Sequence, residues 1–204
     1  MKIPPSSIPR ISRYYRVLLS LKDPVVSSQE LADLTGSGAA QIRKDLAYFG
    51  QFGRPGKGYG TEALKQELKK ILGIDRNWAV ALVGIGNLGS ALLAYKGFKD
   101  QGFNIKYAFD NDRKKIGRSR QGIKIRDIKN IPSVIKASGI EMAVIAVPQS
   151  SAQDVVDMLV ASGIKAILNF APAVLKVSDG VELLNIDLSI EMEKLTYFLQ
   201  RNKA

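Results

Sequence analysis

Two residue types are missing altogether from the 204 residues, cysteine and histidine. Without cysteine there is no disulfide, no thiolate nucleophile and no Cys-based metal site. Without histidine the chain lacks the commonest general acid–base group and the commonest metal ligand. The reading therefore assigns no catalytic residue and no metal. Long apolar runs are absent as well. None approaches the ~20 residues of a membrane span, and no signal-peptide pattern opens the chain. A soluble, cytoplasmic protein with no membrane partner is expected. Acidic residues are scarce: 19 Asp and Glu face 30 Lys and Arg, for a net charge of +11. That excess suits a polyanion, nucleic acid before a membrane surface, since no basic amphipathic anchor stands out.

What is present is 46% hydrophobic and 24% charged residues, enough for a sizeable core. Glycine and charge divide the chain near residue 75. The first part carries twelve basic and seven acidic residues, the remainder eighteen and twelve. The first part is the more densely basic. It reads as short helices. Ile11, Tyr14, Tyr15, Leu18 and Leu19 recur at helical spacing, and Lys22-Asp23-Pro24 ends the run. Ser27 with Glu30 forms a capping-box pair before Leu31 and Leu34. A turn at Thr35–Gly38 leads into a helix reaching about Tyr48. The glycine-rich stretch 50–60 fits a short hairpin, after which Thr61 can cap a helix that Gly73 stops.

The second part alternates strand and helix. Ala79–Val83 is nearly all apolar, as a parallel strand buried on both faces should be. Ile105–Phe109, Met142–Val147 and Ala166–Leu168 resemble it, with helical patterns between. This is the rhythm of a doubly wound α/β sheet. An amphipathic helix from about Ser189 closes the chain.

Gly84, Gly86 and Gly89 match G-x-G-x-x-G, directly after a buried strand and at the opening of a helix. That context turns a weak motif into a dinucleotide-binding one. Gly84 makes the tight turn, Gly86 admits a pyrophosphate, and Gly89 lets helix and strand pack closely. The helix N-terminus then offers free N–H groups to the phosphates. Asp110 ends the next strand, where a carboxylate accepts from a ribose diol and repels a 2′-phosphate; NAD(H) is favoured over NADP(H). Arg113, Lys114 and Lys115 pull the other way. Val147-Pro148 and Phe170-Ala171-Pro172 should end strands at the same crevice, giving a nicotinamide ring an apolar wall.

The helix after Gly38 has two faces. Ala39, Ile42, Leu46 and Phe49 pack inward. Gln41, Lys44 and Tyr48 lie opposite, flanked by Arg43, as a DNA-recognition helix requires. Arg54 and Lys57 sit at the tip of the glycine loop, a wing that can reach phosphates or a minor groove. Arg10, Arg13 and Arg16 line the first helix.

The run from Gln41 to Gly50, Gly58-Tyr59, the glycine fingerprint, the Asn169–Pro172 turn and Asn185–Asp187 together resemble the family of redox-sensing transcriptional repressors called Rex. The resemblance covers nearly the whole chain. It implies a winged-helix DNA-binding domain over 1–75, a Rossmann NAD(H)-binding domain over 76–187 and a domain-swapped dimerisation helix over 188–204. It implies a homodimer on double-stranded operator DNA that lets go when NADH binds, with NAD⁺ competing weakly or supporting the bound form. It adds Tyr59 to the wing, Asn87 and Leu88 to the cofactor turn, and Tyr95 and Asp187 to the nicotinamide and the dimer seam. Gly36 and Gly38 depart from the family's more usual residues before the recognition helix. A mechanism follows as an expectation. Phe170, Pro172 and Leu188 form an apolar slot that penalises the cationic oxidised ring. Arg16 pairs with the Asp187 carboxylate of the other subunit on DNA, and Tyr95 takes that carboxylate when NADH binds.

Two other readings stay open on the residues. Tyr95 and Lys99 form Y-x-x-x-K, the acid–base pair of short-chain dehydrogenases, although they follow the first glycine turn too early for that class. A CoA- or nucleotide-binding module with a non-DNA partner shares the same fold.

Overall fold

The computed structural model describes residues 3–53 and 56–201. The chain divides into two compact units, 1–76 and 77–204.

The first unit runs α1 (Ser7–Ser20), β1 (Val25–Val26), α2 (Ser28–Thr35), α3 (Ala39–Ala47), β2 (Tyr59–Gly60) and α4 (Thr61–Ile71). Its core gathers Ile11, Tyr14 and Leu18 of α1 with Leu31, Ile42, Leu46, Leu64 and Leu68. Those spacings put one stripe of each helix inward. Leu19 and Leu34, expected on the buried stripes, are exposed. Thr35 turns inward in place of Leu34 and donates its hydroxyl to the Leu31 carbonyl at 2.6 Å. Such a back-bond one turn earlier is how a helical threonine satisfies itself when buried. The Ser27–Glu30 capping box is formed in both directions, at 3.0 and 2.7 Å.

Two local expectations are corrected. The glycine-rich stretch does not pair with itself among the described residues; β2 pairs antiparallel with β1, Val26 opposite Tyr59. Gly50, Gly53, Gly56 and Gly58 all have positive φ, which takes the backbone out of ladder geometry. Nor does Thr61 cap α4. Gly60 is the N-cap, and the Thr61 amide donates to the Pro24 carbonyl at 3.0 Å, so strand pairing runs up to the helix and leaves the Thr61 hydroxyl buried without a partner.

The second unit runs β3 (Trp78–Val83), α5 (Asn87–Ala94), α6 (Lys96–Asp100), β4 (Phe103–Asp110), β5 (Ser119–Arg120), β6 (Ile123–Asp127), α7 (Ile131–Ser138), β7 (Met142–Ile145), α8 (Gln149–Ala161), β8 (Ala166–Asn169), β9 (Glu182–Asn185) and α9 (Leu188–Arg201). The sheet order is β5-β6-β4-β3-β7-β8-β9. All neighbours are parallel except the edge pair β5–β6. Leaving out β5, the order is the 3-2-1-4-5-6 of a dinucleotide-binding doubly wound fold. Alternation along β3 sorts the core into two layers. Ala81 and Val83 pack with Ile131, Ile135, Val156 and Leu159; Val80 and Leu82 pack with Leu93 and Ile125. β6 and β9 escape sequence reading because each mixes charged and apolar residues in a short run. In α9 every described residue is exposed, including Met192, Leu195, Phe198 and Leu199 at 55–63%.

Candidate functional site

The strand order reverses between β3 and β7, and a doubly wound sheet forms its ligand crevice outside the carboxyl ends of the strands at that point. Each strand end is tied to its neighbour: Gly84 N–H donates to Phe109 at 2.8 Å, Ala146 to Val83 at 2.8 Å, Phe170 to Ile145 at 2.9 Å and Ile186 to Asn169 at 2.8 Å. The turn between β3 and α5 requires its glycines. Gly84 has φ +91°, and a Cβ there would meet the Ala146 carbonyl oxygen at 2.5 Å. A Cβ on Gly89 would run into the Gly84 carbonyl oxygen. At Gly86 a Cβ would meet nothing within 4 Å, so that glycine leaves the mouth of the turn open. Asn87 and Leu88 form the exposed first turn of α5, whose leading N–H groups have no intrahelical acceptor.

Asp110 is buried below this turn. Its Oδ2 accepts from the Ile85 amide at 2.7 Å and from Lys115 Nζ at 3.1 Å, and its Oδ1 accepts from the Asp112 amide at 2.8 Å. Burial pushes the carboxyl up, but the two amides and the Lys115 ammonium outweigh it and hold it below the usual carboxylate value. A carboxylate has about four lone-pair sites, so most of its capacity goes to bracing the turn. Lys115 is committed here, while Arg113 and Lys114 are exposed.

The apolar wall is assembled in part. Phe170 is half-buried against the Val80–Leu82 layer, Ala171 is buried, Val147 is half-buried, and Pro148 and Pro172 are exposed. Asn169 sets this turn: its side-chain oxygen accepts from the Ala171 amide at 2.8 Å, and its nitrogen donates to the Ala171 carbonyl at 2.9 Å and to Asn185 at 2.8 Å. Tyr95 stands past the far end of α5, about 12 Å along the axis from the turn. It is 60% exposed, with its ring edge-on to Phe98. Asp187 accepts from the Ser189 amide at 2.9 Å and so caps α9, while Leu188 is exposed. Sequence reading missed Arg120. The β5–β6 hairpin, with Gln121 and Gly122 both at positive φ, brings its Nη1 to within 3.0 Å of Ser90 Oγ on α5. The Gln121-Gly122 pair between two short runs is the hairpin signal that could have found it.

In the first unit the expected DNA-facing residues divide. Arg13, Arg16, Arg43, Lys44 and Lys57 are exposed and Tyr48 is half-buried; Arg43 donates to Ser28 Oγ at 2.9 Å. Arg54 lies outside the described residues. Tyr59 is a correction: its ring is 9% exposed and packs in the core beside Val26, because β2 pairs inward with β1. Arg10 and Gln41 face a carboxylate. Asp45, fully buried in α3, accepts from Arg10 Nε at 2.6 Å and Nη2 at 2.7 Å, from Tyr14 at 2.9 Å, from Gln41 Nε2 at 2.8 Å and from Ser7 at 3.3 Å. Burial raises this carboxyl too, and Arg10, Gln41 and Tyr14 more than reverse the effect, leaving it below its ordinary value. Among the described residues no helix is long and apolar enough to cross a membrane.

Known proteins resemble the chain along its whole length. Residues 2–47 match the family "Putative DNA-binding protein N-terminus", and residues 75–173 match "CoA binding domain". A redox-sensing transcriptional repressor Rex of Desulfitobacterium hafniense is 44% identical, over 100% of this chain and 99% of that protein. Its namesake in Syntrophomonas wolfei is 48% identical, over 98% of this chain and 97% of that protein. Among solved structures, RSP in complex with β-NAD⁺ and operator DNA superposes with TM-score 0.95 at 37% identity, covering 100% of this chain and 95% of that one. RSP in complex with β-NADH gives 0.90 at 35%, covering 100% and 97%.

Proposed function

This chain belongs to the Rex family of redox-sensing transcriptional repressors, and from that premise we propose that it binds operator DNA as a homodimer and leaves it when NADH enters the crevice at the Gly84 turn. The observation that carries this reading is the turn itself. Two glycines are sterically required, the third leaves the approach open, and all three lie under a helix N-terminus at the point of strand reversal. The amides of Asn87, Leu88 and Gly89 are assigned to the pyrophosphate. Asp110 acts on the ligand through the turn it braces. Val147, Pro148, Phe170, Ala171 and Pro172 are assigned to the ring end.

NADH and NAD⁺ differ there by charge, and no turnover is needed to tell them apart. Phe170, Pro172 and Leu188 offer little to a cation in exchange for its water, so they favour the neutral ring. The exposed apolar face of α9 is assigned to the other subunit, onto which the helix crosses. Asp187, at the start of that helix, then lies near the seam. Arg16 of one subunit pairs with Asp187 of the other on DNA, and Tyr95 takes the carboxylate when NADH binds. Arg13, Arg43, Lys44, Tyr48 and Lys57 face the duplex. Two recognition helices must meet major grooves about 34 Å apart, or a multiple of that, so a modest rotation between subunits breaks one fit.

Gel-shift titration of an operator duplex with NADH, NAD⁺ and NADPH tests the reading. Release by NADH, at concentrations where NAD⁺ leaves the complex intact, is the expected outcome. A complex indifferent to all three, or a chain that sediments as a monomer, overturns it.

A further inference from the structure

Gln41 is the third residue of α3, on the turn where a recognition helix meets base edges. Its side chain is half-exposed and is not free to rotate as it likes. Asp45, one turn later, receives its Nε2 at 2.8 Å. An ionised carboxylate only accepts hydrogen bonds, so the amide next to it must turn its nitrogen inward. Asp45 is itself locked by the two bonds from Arg10 and the one from Tyr14, both on α1. The depressed titration of its carboxyl keeps it ionised at neutral pH. The outward end of Gln41 is therefore its carbonyl oxygen, an acceptor.

We propose that Asp45 is a specificity-determining positioning residue, which fixes the sense of the Gln41 amide so that α3 selects a base carrying an exocyclic amino group in the major groove. Adenine presents N6–H₂ there and cytosine N4–H₂, whereas guanine and thymine oppose an acceptor with O6 and O4. An unanchored glutamine can flip to suit either set. Here the flip would place a carbonyl oxygen against a buried carboxylate, which desolvation makes costly. The inference rests on the operator-reading function proposed above and adds what one residue reads.

The full-length chain is challenged with a duplex library randomised across the operator half-site, and retained sequences are counted. At one position the wild type should prefer adenine or cytosine about tenfold over guanine or thymine, the scale of a good base contact. Q41A should flatten that position alone. D45A, which removes the acceptor that anchors Gln41 Nε2, should free the amide to flip and admit guanine and thymine at that position nearly as well as adenine and cytosine. Library retention with Q41A preferences unchanged overturns this inference and leaves the repressor reading intact, as does a guanine or thymine preference at the position Q41A flattens. A folded D45A with wild-type preferences also overturns it. If D45A fails to fold, the wild-type and Q41A profiles decide alone. Retention of no duplex by the wild type overturns both readings.

Discussion

Among the described residues each unit buries one carboxylate beside one cation, and the two are built in opposite ways. Asp45 is held almost entirely by side chains, which reach it from α1 and from one turn back on α3. Asp110 is held by two backbone amides and one lysine, all within its own strand end and the neighbouring turn. The first arrangement couples separate helices and depends on every partner's rotamer. The second fixes a loop and survives changes of side chain. A helix that must present a defined edge is served by the first kind; a turn that must stay rigid around a phosphate is served by the second.

Four perturbations test that contrast. The largest effect is expected from Asp45→Ala, which leaves the Arg10 guanidinium and the Tyr14 hydroxyl without their acceptor. Removing one partner of a buried pair costs about 3–5 kcal/mol, and about 2–3 kcal/mol is expected here because Arg10 stays partly in water. The only tryptophan, Trp78, lies in the second unit. Urea unfolding followed by helical circular dichroism should therefore show the loss, while Trp78 emission changes little. Gly86→Ala comes next and acts on binding alone. With space around it and φ of −77°, the methyl should alter stability by less than about 0.5 kcal/mol. It should still weaken NADH at least tenfold by calorimetry, because the methyl stands where the pyrophosphate approaches.

Asp110→Asn is the direct counterpart of the first change. Ile85 and Asp112 donate to different oxygens, and an asparagine has only one, so one of the two backbone bonds is lost together with the Lys115 ion pairing. About 1–2 kcal/mol is expected, read as a shifted Trp78 unfolding midpoint. A loss as large as that of Asp45→Ala would erase the distinction drawn here. The smallest effect is that of pH. Both carboxyls titrate below their ordinary values, so their stabilisation is complete above about pH 4 and is lost only as pH falls through the depressed folded values. No histidine titrates in between. The urea midpoint should be flat from about pH 6 to 8 and decline only in acid, measured in matched buffers.

The legible part of the site was the part made of backbone. Gly84, Gly86 and Gly89 announce themselves by their spacing: the protein's own backbone excludes a side chain at Gly84 and Gly89, and at Gly86 the space is left open. The Asn169–Pro172 turn was located, but the bonds by which Asn169 holds it were not. Arg10 and Gln41 show what pattern reading leaves out. Charge and spacing put both on a DNA-facing surface, and neither reveals that each also donates to Asp45. Periodicity assigns a face to a residue and not a partner 35 positions away. The burial of Tyr59 is illegible for the same reason, since nothing local shows that its strand pairs with Val25–Val26.

Residue pattern alone was enough for the two-unit plan, the strand-turn-helix of the glycine motif and the apolar face of the last helix. These follow from short-range periodicity and from steric demands on single residues. Which charges are spent inside and which face outward emerges from the folded arrangement. A carboxylate's partners are chosen by packing between elements distant in the chain, and desolvation makes that choice binding.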